Sequence, residues 1–93
     1  MGYRCTLKAN KNIKEQDVEE VLDTLPPYLS GPLGNTKQSW GWSCGCDVYL
    51  PKRNQLDIGG SYSISGGIAE DFVKHMKRGL NNKGYVITTD WED

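Results

Sequence analysis

The chain contains no apolar run near the roughly 20 residues that a membrane-crossing helix needs. Its opening, MGYRCTLKAN, also lacks the apolar core of a secretion signal. Both absences lead us to expect a cytoplasmic protein with no membrane partner. An excess of one charge is missing too: 11 Lys and Arg against 12 Asp and Glu leave a formal net charge of −1, so no bulk attraction to nucleic acid is expected. Three cysteines and one histidine would complete a tetrahedral metal site only if all of them converged. An odd cysteine count without a secretion signal argues for reduced thiols and against a disulfide framework. Neither the lysine spacing of a phosphate-binding loop nor a dinucleotide fingerprint is present. We therefore expect no cofactor and no metal.

What is present suits a folded domain. Hydrophobic residues make up 37% and charged residues 25% of 93 positions, enough apolar material to offset chain entropy in one domain spanning residues 1–93. A chain of this size buries a little over ~60% of its unfolded surface, so it holds one modest core. Met1-Gly2 followed by Thr6 loosely fits a myristoylation pattern, but Tyr3 to Leu7 reads better as a strand that begins at once.

The hydrophobic period changes along the chain. Tyr3, Cys5 and Leu7 alternate with Arg4, Thr6 and Lys8, as in a half-buried strand. Val18, Val21, Leu22 and Leu25 then recur at helical spacing, with Asn10 or Asn12 available as cap and Pro26-Pro27 as the stop. The segment YLSGPLGNTKQ has no period and reads as a loop whose Tyr28, Leu29 and Leu33 fold over the core. Residues 40–50 and 56–64 alternate again, joined by a hairpin at Pro51 to Gln55. A second helical stripe, Ile68, Ala69, Phe72, Met76 and Leu80, has Ser65 as its cap and Gly84 at its end, and YVITTDW closes the chain as a strand. Strand, helix, strand, strand, helix, strand resembles the ferredoxin-like arrangement: an α+β two-layer domain, a four-stranded antiparallel sheet with two helices on one face.

The stretch SWGWSCGCDVYL looks most like chemistry. Read as one strand, it places Trp40, Trp42, Cys44, Cys46, Val48 and Leu50 on the inward face. Neighbours i and i+2 in a strand stand roughly 6.6 to 6.8 Å apart with parallel side chains, which disfavours a Cys44–Cys46 disulfide. These cysteines are expected to be reduced core residues. The opposite face would show Arg4, Thr6 and Lys8, then Gly41, Ser43, Gly45, Asp47 and Tyr49, then Asp57, Gly59, Ser61 and Ser63. Its central strands carry no aromatic residue on which a base could stack, unlike an RNA-recognition sheet.

Other candidates are fewer. His75 sits at the edge of the second stripe, where a boundary histidine is the default and a thiol enzyme pairing it with cysteine is the less favoured reading. Ser65, Gly66 and Gly67 precede a helix and form a candidate anion site, although Glu70 and Asp71, placed in the first turn, would already complement the helix dipole. The topology collects Lys8, Lys11, Lys14, Lys52, Arg53, Lys77, Arg78 and Lys83 toward one pole, and Asp23, Glu70, Asp71, Asp90, Glu92 and Asp93 toward the other.

No catalytic constellation is assembled, so the expectation is a small non-enzymatic binding protein of regulator or inhibitor type that covers a protein surface. Short, acidic, motif-poor chains of this kind occur among phage and mobile-element accessory proteins. The alternative is a nucleic-acid binder using the basic pole.

Overall fold

The computed structural model describes residues 3–29, 32–36, 39–42, 46–60 and 66–92, with the backbone alone at 32–36, 39–42 and 66. Strands β1 (Tyr3–Ala9), β2 (Pro32–Thr36), β3 (Ser39–Trp42), β4 (Cys46–Lys52), β5 (Gln55–Gly60) and β6 (Ile87–Glu92) join helices α1 (Glu15–Asp23) and α2 (Gly66–Asn82). They form one antiparallel sheet in the order β2-β3-β4-β5-β1-β6. The four strands β4-β5-β1-β6 and the two helices make the expected ferredoxin-like two-layer fold, and β2 with β3 extends the sheet beyond β4.

Alternation decides which face is covered. Cys5, Leu7, Cys46, Val48, Leu56 and Ile58 are all buried, and they meet Val18, Val21 and Leu22 of α1 and Phe72, Met76 and Leu80 of α2 in one core. Each of the Val, Leu, Ile, Phe and Met side chains contributes about 1.5–3 kcal/mol when fully buried. Cys5 and Cys46 are buried within this core, and burial pushes the Cys5 thiol above its usual pKa. Cys44 lies outside the described residues.

Four expectations need correction. Residues 40–50 are not one strand: Ser39, Trp40 and Gly41 pair with Tyr49, Val48 and Asp47, so the chain reverses between Trp42 and Cys46. The reversal keeps Trp40 in phase with Val48, and period alone could not distinguish a long strand from two short ones folded in register. The loop expected over 28–38 is instead a short 3-10 turn, Pro27–Leu29, followed by β2. Edge strands tolerate a proline and a bulge, which erased the alternation. Lys14, and not an asparagine, is at the α1 N-cap, with extended backbone and no side-chain cap. Lastly, α2 already begins at Gly66, so no acid occupies its first turn and Glu70 and Asp71 lie one turn in.

The two helices run antiparallel and touch along their length. Lys83 pairs with Glu20, His75 Nε2 lies 3.3 Å from Thr24 Oγ1, and the Tyr28 hydroxyl donates to Asp71 at 3.0 Å. Between these contacts Gly79 approaches so closely that a Cβ there would stand 2.5 Å from Val21 Cγ1. The end of α2 closes through two carbonyls: Gly84 N–H donates to Asn81 O at 3.0 Å and Tyr85 N–H to Leu80 O at 3.1 Å. This 6→1 closure needs a left-handed residue, and Gly84 supplies it with φ of 95°.

Candidate functional site

Backbone hydrogen bonds fasten three chain segments at one end of the molecule. Ala9 N–H donates to Asn54 O, Ile13 N–H to Arg53 O, and Asn10 N–H to Val86 O. This end therefore carries Lys8, Lys11, Lys14, Lys52, Arg53 and Lys83. Lys83 is occupied by Glu20 and, at 4.0 Å, Asp17. That pairing holds the Lys83 pKa above and the Glu20 pKa below their ordinary values. Lys11 lies over the Tyr85 ring, 4.9 Å from its centroid. Lys77 and Arg78 lie on different flanks of α2, and Arg78 shares a groove with Lys83. Lys77 lines a groove against Thr89 and Trp91, whereas Arg78 lines the side nearer Thr24 and His75.

Sequence reasoning missed Tyr85. Its hydroxyl accepts from Lys14 N–H at 3.0 Å and donates to Asp17 Oδ2 at 2.6 Å. In an ordinary capping box the third helical residue reaches back to the N-cap amide directly; here a tyrosine hydroxyl from across the fold is inserted between them. Burial, then the Asp17 hydrogen bond, raises the Tyr85 pKa. No signal in the sequence connects Tyr85 to residue 14.

The uncovered sheet face is sorted by charge. By register its three rows read Asp47–Gly59–Arg4–Glu92, Tyr49–Asp57–Thr6–Asp90, and Lys52–Gln55–Lys8–Thr88. The first two rows carry Asp47, Asp57, Asp90 and Glu92 against Arg4 alone, and the third carries the lysines of the basic end. Thr6 and Gln55 both donate to Asp57 Oδ1, at 3.2 and 3.1 Å. Tyr49 is 48% exposed among these groups. Because β2 and β3 lengthen the sheet, β4 is an interior strand, so an aromatic does stand on the open face of a central strand, contrary to expectation. Ser43, Gly45, Ser61 and Ser63 lie outside the described residues.

The Thr24 hydroxyl donates to Val21 O at 2.7 Å, leaving its lone pair to accept from His75 Nε2. His75 thus bridges the helices. Of the candidate anion site, Ser65 lies outside the described residues, and Gly66 and Gly67 form the first turn of α2. Among the described residues, no three His, Cys, Asp or Glu side chains gather to hold a metal, and no helix is long and apolar enough to cross a membrane.

The chain matches no protein family, no curated protein and no solved structure.

Proposed function

We propose that the protein is a non-enzymatic binding protein, of regulator or inhibitor type, that lays the open face of its sheet against a larger protein. The supporting observation is the make-up of that face: an exposed Tyr49 among Asp47, Asp57, Asp90 and Glu92, with Arg4 the one cation in those two rows. Four carboxylates in this setting repel a phosphate backbone and complement a basic protein surface. Gly59 adds a second argument. Glycine weakens a strand interior, yet among the described residues a Cβ at Gly59 would meet only the Tyr3 carbonyl at 3.8 Å, an ordinary contact. Packing does not require glycine there, whereas a low surface between Asp47 and Arg4 does.

Capture from host lysate tests the reading with three baits: wild type, a double variant with Asp47→Lys and Tyr49→Ala, and a helix-side control with Glu15→Lys. All these positions are exposed, so stability should change little. A protein retained by wild type and control but lost by the double variant supports the proposal. Retention by all three baits refutes it. The basic end supports a second reading, nucleic-acid binding through Lys8, Lys14, Lys52 and Arg53, which the structure brings to one end of the molecule.

A further inference from the structure

Strand β6 is an edge strand, and its hydrogen-bond phase can be worked out. The Asn10 N–H to Val86 O bond, 3.2 Å long, makes 10/86 a bonded pair. Counting by twos through the register, 8/88, 6/90 and 4/92 are bonded pairs as well. The amides and carbonyls of Ile87, Thr89 and Trp91 therefore point away from β1, along the outer edge of the sheet.

The side chains of these residues face the helix layer, since Thr89 and Trp91 stand opposite Leu7 and Cys5, which are both fully buried. Helix α2 covers Leu7 and Cys5 but leaves Trp91 41% exposed. The result is a groove of about 410 Å³ lined by Glu70, Val73, Lys74, Lys77, Thr89 and Trp91. On the opposite side of the same strand stand Asp90 and Glu92. Backbone groups with no strand partner among the described residues thus run between an acidic margin and a groove whose apolar side chains are Val73 and Trp91.

We propose that β6 is a docking edge for an extended segment of a partner protein, which adds to the sheet with apolar residues in the groove and basic residues beside Asp90 and Glu92. This deepens the protein-binding reading and rests on it. Main-chain pairing would supply affinity and the alternate side chains specificity, as in strand-addition recognition. Charge selects the occupant. A second copy paired through its own β6 would set Asp90 and Glu92 against the same carboxylates, and like charges directly opposite destabilise a strand pair. A strand carrying lysine or arginine at those positions meets the opposite sign.

The test uses two capped nine-residue peptides, one alternating Lys and Val and its twin alternating Glu and Val, titrated into the full chain and followed by amide-resolved NMR. The Lys/Val peptide should slow hydrogen exchange at Thr89 and Trp91 at least several-fold, leaving Asp90 unchanged because its amide already pairs with β1. The Glu/Val twin should not bind. Thr89→Pro removes an outward N–H and should weaken binding at least tenfold, and Asp90→Lys with Glu92→Lys should invert the preference between the peptides. If the proline variant fails to fold, the wild-type exchange pattern and the charge reversal decide. Equal binding of the two peptides, no binding of either, protection mapping elsewhere, or self-association through β6 would each overturn the proposal. Loss of this edge with lysate capture through Asp47 and Tyr49 intact would leave the protein-binding reading standing; loss of both would remove it too.

Discussion

Tyr85 joins two helix ends through one residue. Its amide closes the end of α2 on Leu80 O, and its hydroxyl stands between Lys14 N–H and Asp17 at the start of α1. Replacing Tyr85 with Phe keeps the ring, 4% exposed, and deletes both hydroxyl bonds. Because one of them is to a carboxylate, the cost should be about 1.5–3 kcal/mol in denaturant unfolding at neutral pH. The pH dependence has a definite sign. A tyrosine whose folded pKa is raised contributes stability that is complete below the ordinary value of about 10 and is lost as pH rises through the higher folded value. The gap between wild type and Tyr85→Phe should therefore narrow above pH ~10. A gap that widens there would show that the hydroxyl is not held as described. This arrangement was not legible in the sequence: Gly84 marked the end of α2 through its position, but the Tyr85 partner is 71 residues away and no local pattern encodes it. Buried cysteines were legible, because Cys5 and Cys46 alternate in phase with Leu7 and Val48.

Elements that bury a continuous stripe were readable for the same reason. The stripes Val18–Val21–Leu22–Leu25 and Ala69–Phe72–Met76–Leu80 are buried as their spacing implied. The β2–β3 extension was not readable, since a short edge hairpin rich in glycine and proline carries little packing information. The helix pair offers its own prediction at Gly79. Alanine in place of glycine favours a helix by ~1 kcal/mol, but here its Cβ would stand 2.5 Å from Val21 Cγ1 and 2.8 Å from Cγ2. A rigid β-branched neighbour cannot move aside cheaply, and overpacking of this kind costs about 1–3 kcal/mol. Gly79→Ala should lower the melting temperature, and combining it with Val21→Ala should give less loss than the two single changes summed, a coupling that a double-mutant cycle detects. Additive effects would mean that the helices are not in contact at this point.

Charge at the level of the whole molecule is nearly balanced in sum and separated in space. A formal net charge of −1 conceals an acidic upper sheet face and a basic end holding Lys8, Lys14, Lys52 and Arg53. The acidic face was not anticipated, since Asp47 and Asp57 were not among the acids expected at one pole, nor was the pairing of Lys83 with Glu20, 63 residues away, and Asp17. Lys77 and Arg78 diverge around α2 because adjacent helical positions are about 100° apart. With the acidic face as the proposed partner surface, the basic end needs no polyanion ligand. The most direct test is a gel-shift titration at low salt with mixed DNA and RNA, comparing wild type with a variant carrying Lys52→Glu and Arg53→Glu. Phosphate-backbone binding would be strongest under these conditions and would weaken as salt is raised. The account predicts no shift for either protein; a salt-sensitive shift by wild type that the charge reversal abolishes would contradict it.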